Sequence, residues 1–123
     1  MLKYGSVQNQ ELKESVRQQE NEAIKDIANT EEYLAKTIYS PMGGIYDSMS
    51  IVAEEATEAN EHMTVIMDNL NKLWSNMRAK DNVAFRKNIA STEQEAFFAI
   101  EELFQLIAVC RKSLDAVPTE NYK

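Results

Sequence analysis

Carboxylates at helical spacing are the first residues in this sequence that could do chemistry. Glu54, Glu58 and Glu61 recur at steps of four and three, which places three acids on one face of a helix. Hard divalent cations such as Mg²⁺ take oxygen ligands of this kind. Counted at about 100° per residue, the three point away from the apolar positions Ala56 and Met63. The face is therefore expected to be solvated, and a metal site there needs another helix or chain to cover it. His62, the sole histidine, follows Glu58 by four residues and is expected to pair with it across one turn. An imidazole beside a carboxylate is general-base machinery near neutral pH. No serine or cysteine nucleophile has a reason to join it, and Ala59 stands where a Glu-x-x-His metal motif needs its glutamate. No catalytic residue and no cofactor are assigned.

The string Val52-Ala53-Glu54-Glu55-Ala56-Thr57-Glu58 resembles the first acidic motif of the all-helical MazG-like nucleotide pyrophosphohydrolases. That family binds Mg²⁺, cleaves nucleoside triphosphates between the α and β phosphates, and assembles as dimers or larger. The resemblance implies Glu54, Glu55 and Glu58 as metal ligands, with Glu102 supplying a further carboxylate from a second motif. In that second motif Gln105 stands where the family has an acid, and the spacing from the first motif is longer than the family's. A Mg²⁺-dependent pyrophosphohydrolase is the enzyme alternative on this ground.

Charge narrows the other classes. Lys plus Arg number 13 against 20 Asp plus Glu, a net charge of −7. Between Thr37 and Asn71 there is no Lys or Arg, whereas Lys72, Arg78, Lys80, Arg86 and Lys87 crowd the next stretch against Asp81 alone. A strongly basic footprint for direct nucleic-acid binding is missing. An acidic decoy of a nucleic-acid-binding surface is a third alternative. The single cysteine, Cys110, sits in an apolar run and is expected to be a buried thiol in a reducing compartment. Neither a leader nor a span of about 18 apolar residues is present, so a cytoplasmic location without membrane contact is expected.

The elements that must position these residues are helical. Only 3 Gly and 2 Pro occur in 123 residues, and hydrophobic residues make up 44%, which suits helices long enough to carry a core. The first segment, about 8–38, carries Leu12, Val16, Ala23, Ile27, Leu34 and Ile38 on one stripe. Ser40-Pro41-Met42-Gly43-Gly44 ends it. The second, about 45–79, is the strongest pattern: Ile45, Met49, Val52, Ala56, Ala59, Met63, Ile66, Leu70, Leu73 and Met77 alternate steps of four and three. Ala53, Met67 and Trp74 widen that stripe. A break near Lys80-Asp81-Asn82 follows. Capping-box matches at Ser91–Gln94 and Thr92–Glu95 place the third long helix at about 92–115, with 82–89 as a short connecting helix.

The sequence thus predicts an all-α, up-down-up antiparallel bundle of three long helices, one domain over residues 1–123. The stripes are expected to form its core. Ala53, Ala56 and Ala59 are expected to admit the bulk of Phe97, Phe98 and Phe104. The surplus of apolar residues in the third segment calls for self-association or a protein partner. Trp74, Met77, Phe97, Phe98, Phe104 and Leu106 are the candidate interface residues. The expected function is a small acidic helical interaction module, adaptor or regulatory subunit without catalysis.

Overall fold

A computed structural model describes residues 7–38 and 43–121. The chain forms three helices, α1 (Val7–Ile38), α2 (Ile45–Arg78) and α3 (Asn82–Ala116), with no strand among the described residues. They make an all-α, up-down-up antiparallel bundle. The Ser40-Pro41-Met42 break lies outside the described residues. Gly44 precedes α2 with φ at 111°, a left-handed conformation that a side chain would strain, and the Gly43 amide donates to Asp47 Oδ2 (2.8 Å).

The turn from α2 to α3 is tight. Asp81 N–H donates to the Asn76 carbonyl and Lys80 N–H to that of Met77, with Lys80 itself left-handed at φ 53°. This is a Schellman-type stop without its usual glycine. Asp81 then opens α3, its Oδ1 accepting from the Ala84 amide (3.1 Å). That cap starts one continuous helix of 35 residues, so neither a separate helix over 82–89 nor a start at Thr92 is realised. Thr92 instead donates to the Asn88 carbonyl one turn back, and Ser91 faces α2.

Helix α3 lies in the middle. It packs along α2 and, through its C-terminal half, against α1, while α1 and α2 do not approach each other. Arg111 reaches Asn29 and Glu32 of α1, and Lys36 bridges Glu32 and Asp115. From 10 to 27 every residue of α1 is exposed.

The buried residues overturn the expected core. Among the described residues they are the alanines Ala28, Ala35, Ala59, Ala99 and Ala108, with Ser48, Asn69 and Lys112, and no large side chain there is fully buried. In α1 the expected stripe residues Leu12, Val16, Ile27 and Leu34 are exposed, and the seam runs one position along, at Ala28 and Ala35. In α2 the stripe is split. Val52, Ile66 and Leu73 are half-buried beside α3, but Ile45, Met49, Ala56, Met63, Leu70 and Met77 face outward. Ala53 and Ala56 are exposed too, so they do not house the α3 phenylalanines; only Ala59 is buried. Cys110 is half-buried, not enclosed. The physical reason is common to all of these. A single neighbouring helix can cover only part of a stripe widened to two ridges, and here the neighbour takes the small and polar ridge.

Candidate functional site

What α2 turns toward α3 is a polar ladder. Ser48, Glu55, His62, Asn69 and Asn76 recur every seven residues, and Asn88, Glu95 and Glu102 repeat at the same interval on α3. From Glu55 to Asn76 the antiparallel run joins α2 to α3 rung by rung. Asn88 Nδ2 donates to Asn76 Oδ1 (2.8 Å), and Asn69 Nδ2 donates to Ser91 Oγ (3.1 Å). His62 Nδ1 lies 2.7 Å from Glu95 Oε2, with its ring 5.5 Å from that of Phe98. His62 therefore pairs with Glu95 on the facing helix and not with Glu58 on its own. Asn69 is 3% exposed, and its amide has the one place in the register where Ser91 can accept. Shifting the helices by a turn would orphan it, so the ladder fixes how α2 and α3 align. The sequence held this signal, as polar residues in a strict heptad beside the apolar one, and a search for apolar periodicity passes over it.

The last rungs are acidic. Glu55, Glu58 and Glu102 bring one carboxylate oxygen each to within 4.8 Å of one another. One oxygen of Glu55 and one of Glu102 are shut off from water with no hydrogen-bond partner. Burial pushes the Glu55 carboxyl up to about 7, with the nearby charges of Glu58 and Glu102 adding to it. Glu58 is raised as well, first by its hydrogen bond to Glu102, and His62 works in the opposite direction. Three carboxylate oxygens this close have the spacing to hold a divalent cation.

For Glu58 this corrects the expectation that the acidic face points to solvent. Glu58 turns to the seam and α3 supplies the cover. Glu54 and Glu61 remain exposed. Of the four metal candidates, Glu55, Glu58 and Glu102 meet and Glu54 stays apart.

The second feature is an apolar face. Trp74 and Met77, half exposed at 51% and 52%, project from α2 beside Met63, Met67 and Leu70. On α3, Phe97 is 62% exposed, with Ile89 and Ile100 also outside, while Phe98 lies at the edge of the seam and Phe104 and Leu106 are half-buried. Counted at about 100° per residue from Asn69, the outward residues Met63, Met67, Leu70, Trp74 and Met77 lie about 80–160° round α2 from the ladder. Counted from Asn88, Ile89, Ile100 and Phe97 lie about 100–180° round α3. The helices are antiparallel, so turning in the same sense of residue number carries both stripes to the same side of the hairpin. The α3 part of that side is interrupted by the exposed Arg86 and Glu93, which the same count places among Ile89, Phe97 and Ile100. No helix among the described residues is long and apolar enough to cross a membrane. Compared with protein-family models, curated proteins and solved structures, the chain shows no match.

Proposed function

We propose that this chain is a helical protein–protein interaction module that works through the apolar side of the α2–α3 hairpin. The observation behind this reading is the placement of the large apolar side chains outside a seam of alanines and polar rungs. A monomer's exposed apolar patch rarely exceeds a few hundred Å² unless something binds it. Exposed Trp, Met and Phe are the side chains that anchor such interfaces. The lone half-buried thiol suits a reducing, cytoplasmic setting. The test is binding of an apolar fluorescent dye by the purified chain and by Leu70→Asp and Phe97→Asp. Either the native chain binds dye and both variants lose it, or the native chain has already covered the face by associating and the variants dissociate. A chain that stays monomeric, ignores the dye and is indifferent to both substitutions contradicts the reading.

A second reading is favoured by one observation, the meeting of Glu55, Glu58 and Glu102. These are residues that the MazG-like resemblance implies as Mg²⁺ ligands. Their two unpartnered oxygens suit a hard cation, which would supply Lewis-acid binding of phosphate oxygens. Under this reading Mg²⁺ or Mn²⁺ raises the melting temperature, and pyrophosphate is released from nucleoside triphosphates. Glu58→Gln abolishes both effects. Absence of both in the native chain at millimolar metal rejects it.

A further inference from the structure

We infer that the occupant of the apolar face is a second copy of this chain, docked with its α2 antiparallel to the first. This rests on the interaction-module reading above and adds the partner and its register.

Area makes the first argument. The chain exposes 10079 Å², whereas a globular protein of its mass exposes about 6,700 Å². Part of that excess, about 3,400 Å², belongs to the exposed 10–27 stretch of α1 and part to the outward apolar side chains of α2, while a standard interface removes only about 800 Å² per partner. The face carries no charge along α2: Met49, Ala53, Ala56, Asn60, Met63, Met67, Leu70 and Trp74 follow one another with Asn60 as the one polar member. Its partner must therefore be apolar too, as another copy is.

Side-chain volume sets the direction. The steps along those eight residues are 4, 3, 4, 3, 4, 3 and 4, which read the same from either end. An antiparallel copy therefore seats Met49 against Trp74, Ala53 against Leu70, Ala56 against Met67 and Asn60 against Met63. Ala53, Ala56 and Asn60 each meet a larger residue, so the three inner layers keep a similar volume, and Met49 with Trp74 closes each end. Parallel pairing would set Ala53 and Ala56 on their own copies, leaving voids, and Trp74 on Trp74. Charge agrees. The antiparallel pair brings the basic end around Lys72, Arg78, Lys80, Arg86 and Lys87 alongside the partner's acidic half of α2, whereas a parallel pair stacks each sign on itself. Glu95 and Glu102 pair with His62 and Glu55, respectively, so α3 residue 97 lies level with the middle of α2. Phe97, the most exposed aromatic of α3, shares that level but points away from α2 on the outer side of α3, so the pairing of the two α2 helices does not use it.

Cysteine cross-linking in a Cys110→Ser background tests the register in the full chain. Ala53→Cys and Leu70→Cys are mild changes at exposed positions, and circular dichroism checks that helix content is kept. Under mild oxidation a mixture of the two variants is expected to give mixed-disulfide dimers. Ala53→Cys alone is expected to stay unlinked, because its thiols would sit about 25 Å apart along the helices, far outside disulfide reach. Self-linking of Ala53→Cys, or linking in no mixture of a dimeric chain, overturns the antiparallel pairing. A monomeric chain that links in no mixture but binds apolar dye through Leu70 overturns the second copy as occupant while leaving the interaction reading intact. A monomer that does neither overturns both.

Discussion

Glu55 is where a single side chain most alters the behaviour of the whole. Its carboxyl is held near 7 in the folded chain against 4.5 in an unfolded one, with burial as the main cause. Between those values the folded state carries more protons, so stability is highest below about 4.5 and is lost as pH rises toward 7. The carboxyl keeps partial contact with water, and after screening the effect is about 1 kcal/mol. Thermal melts are expected to show a higher midpoint at pH 5 than at pH 7.5. Glu55→Gln should flatten that dependence and stabilise the chain at pH 7.5 by a similar amount. A midpoint that rises with pH over this window would contradict the assignment. The neutral rungs behave differently. Ser91→Ala leaves the buried Asn69 amide without its acceptor and is expected to cost about 1–2 kcal/mol in chemical denaturation. Replacing both partners, as Asn69→Ala with Ser91→Ala, should cost less than the sum of the single changes.

Among the elements, the α2–α3 turn carries the sharpest local chemistry. Lys80 adopts a left-handed conformation that favours glycine, so Lys80→Gly is expected to stabilise the hairpin by about 0.5–1 kcal/mol. Asp81→Ala removes the cap on Ala84 and should cost about 1 kcal/mol. Denaturant titrations of the two variants check both signs. The same turn marks the limit of what could be read in advance. Asp81 is a good cap, but Ser91–Gln94 and Thr92–Glu95 look equally good on paper. Only the neighbour decides, because Ser91 is taken up by Asn69 and Thr92 by its own helix. Helix existence, order and direction were legible, since periodicity and breakers report them directly. The seam was not. Ile27 and Leu34 announce a stripe in α1, yet Ala28 and Ala35 meet α3. Periodicity shows which residues avoid water, and it does not say whether the same chain or another one covers them.

For the whole molecule, the seam and the apolar face divide the work. The polar ladder sets which helix meets which and in what register, a role that buried polar residues have in other helical assemblies. The carboxyl cluster came partly into view from the sequence: Glu55, Glu58 and Glu102 were candidates, but an exposed acidic stripe was expected, because α3's place beside α2 depends on rungs such as His62 and Glu95 that no apolar pattern reports. The large side chains lie on the opposite account, available to a second copy. The most direct measurement is the solution mass by light scattering after size exclusion, over about a hundredfold dilution. A mass twice the chain's 14.0 kDa, falling to a monomer in Leu70→Asp with helix content retained, is the result expected. A 14.0 kDa monomer at every concentration, unchanged by Leu70→Asp, would contradict it.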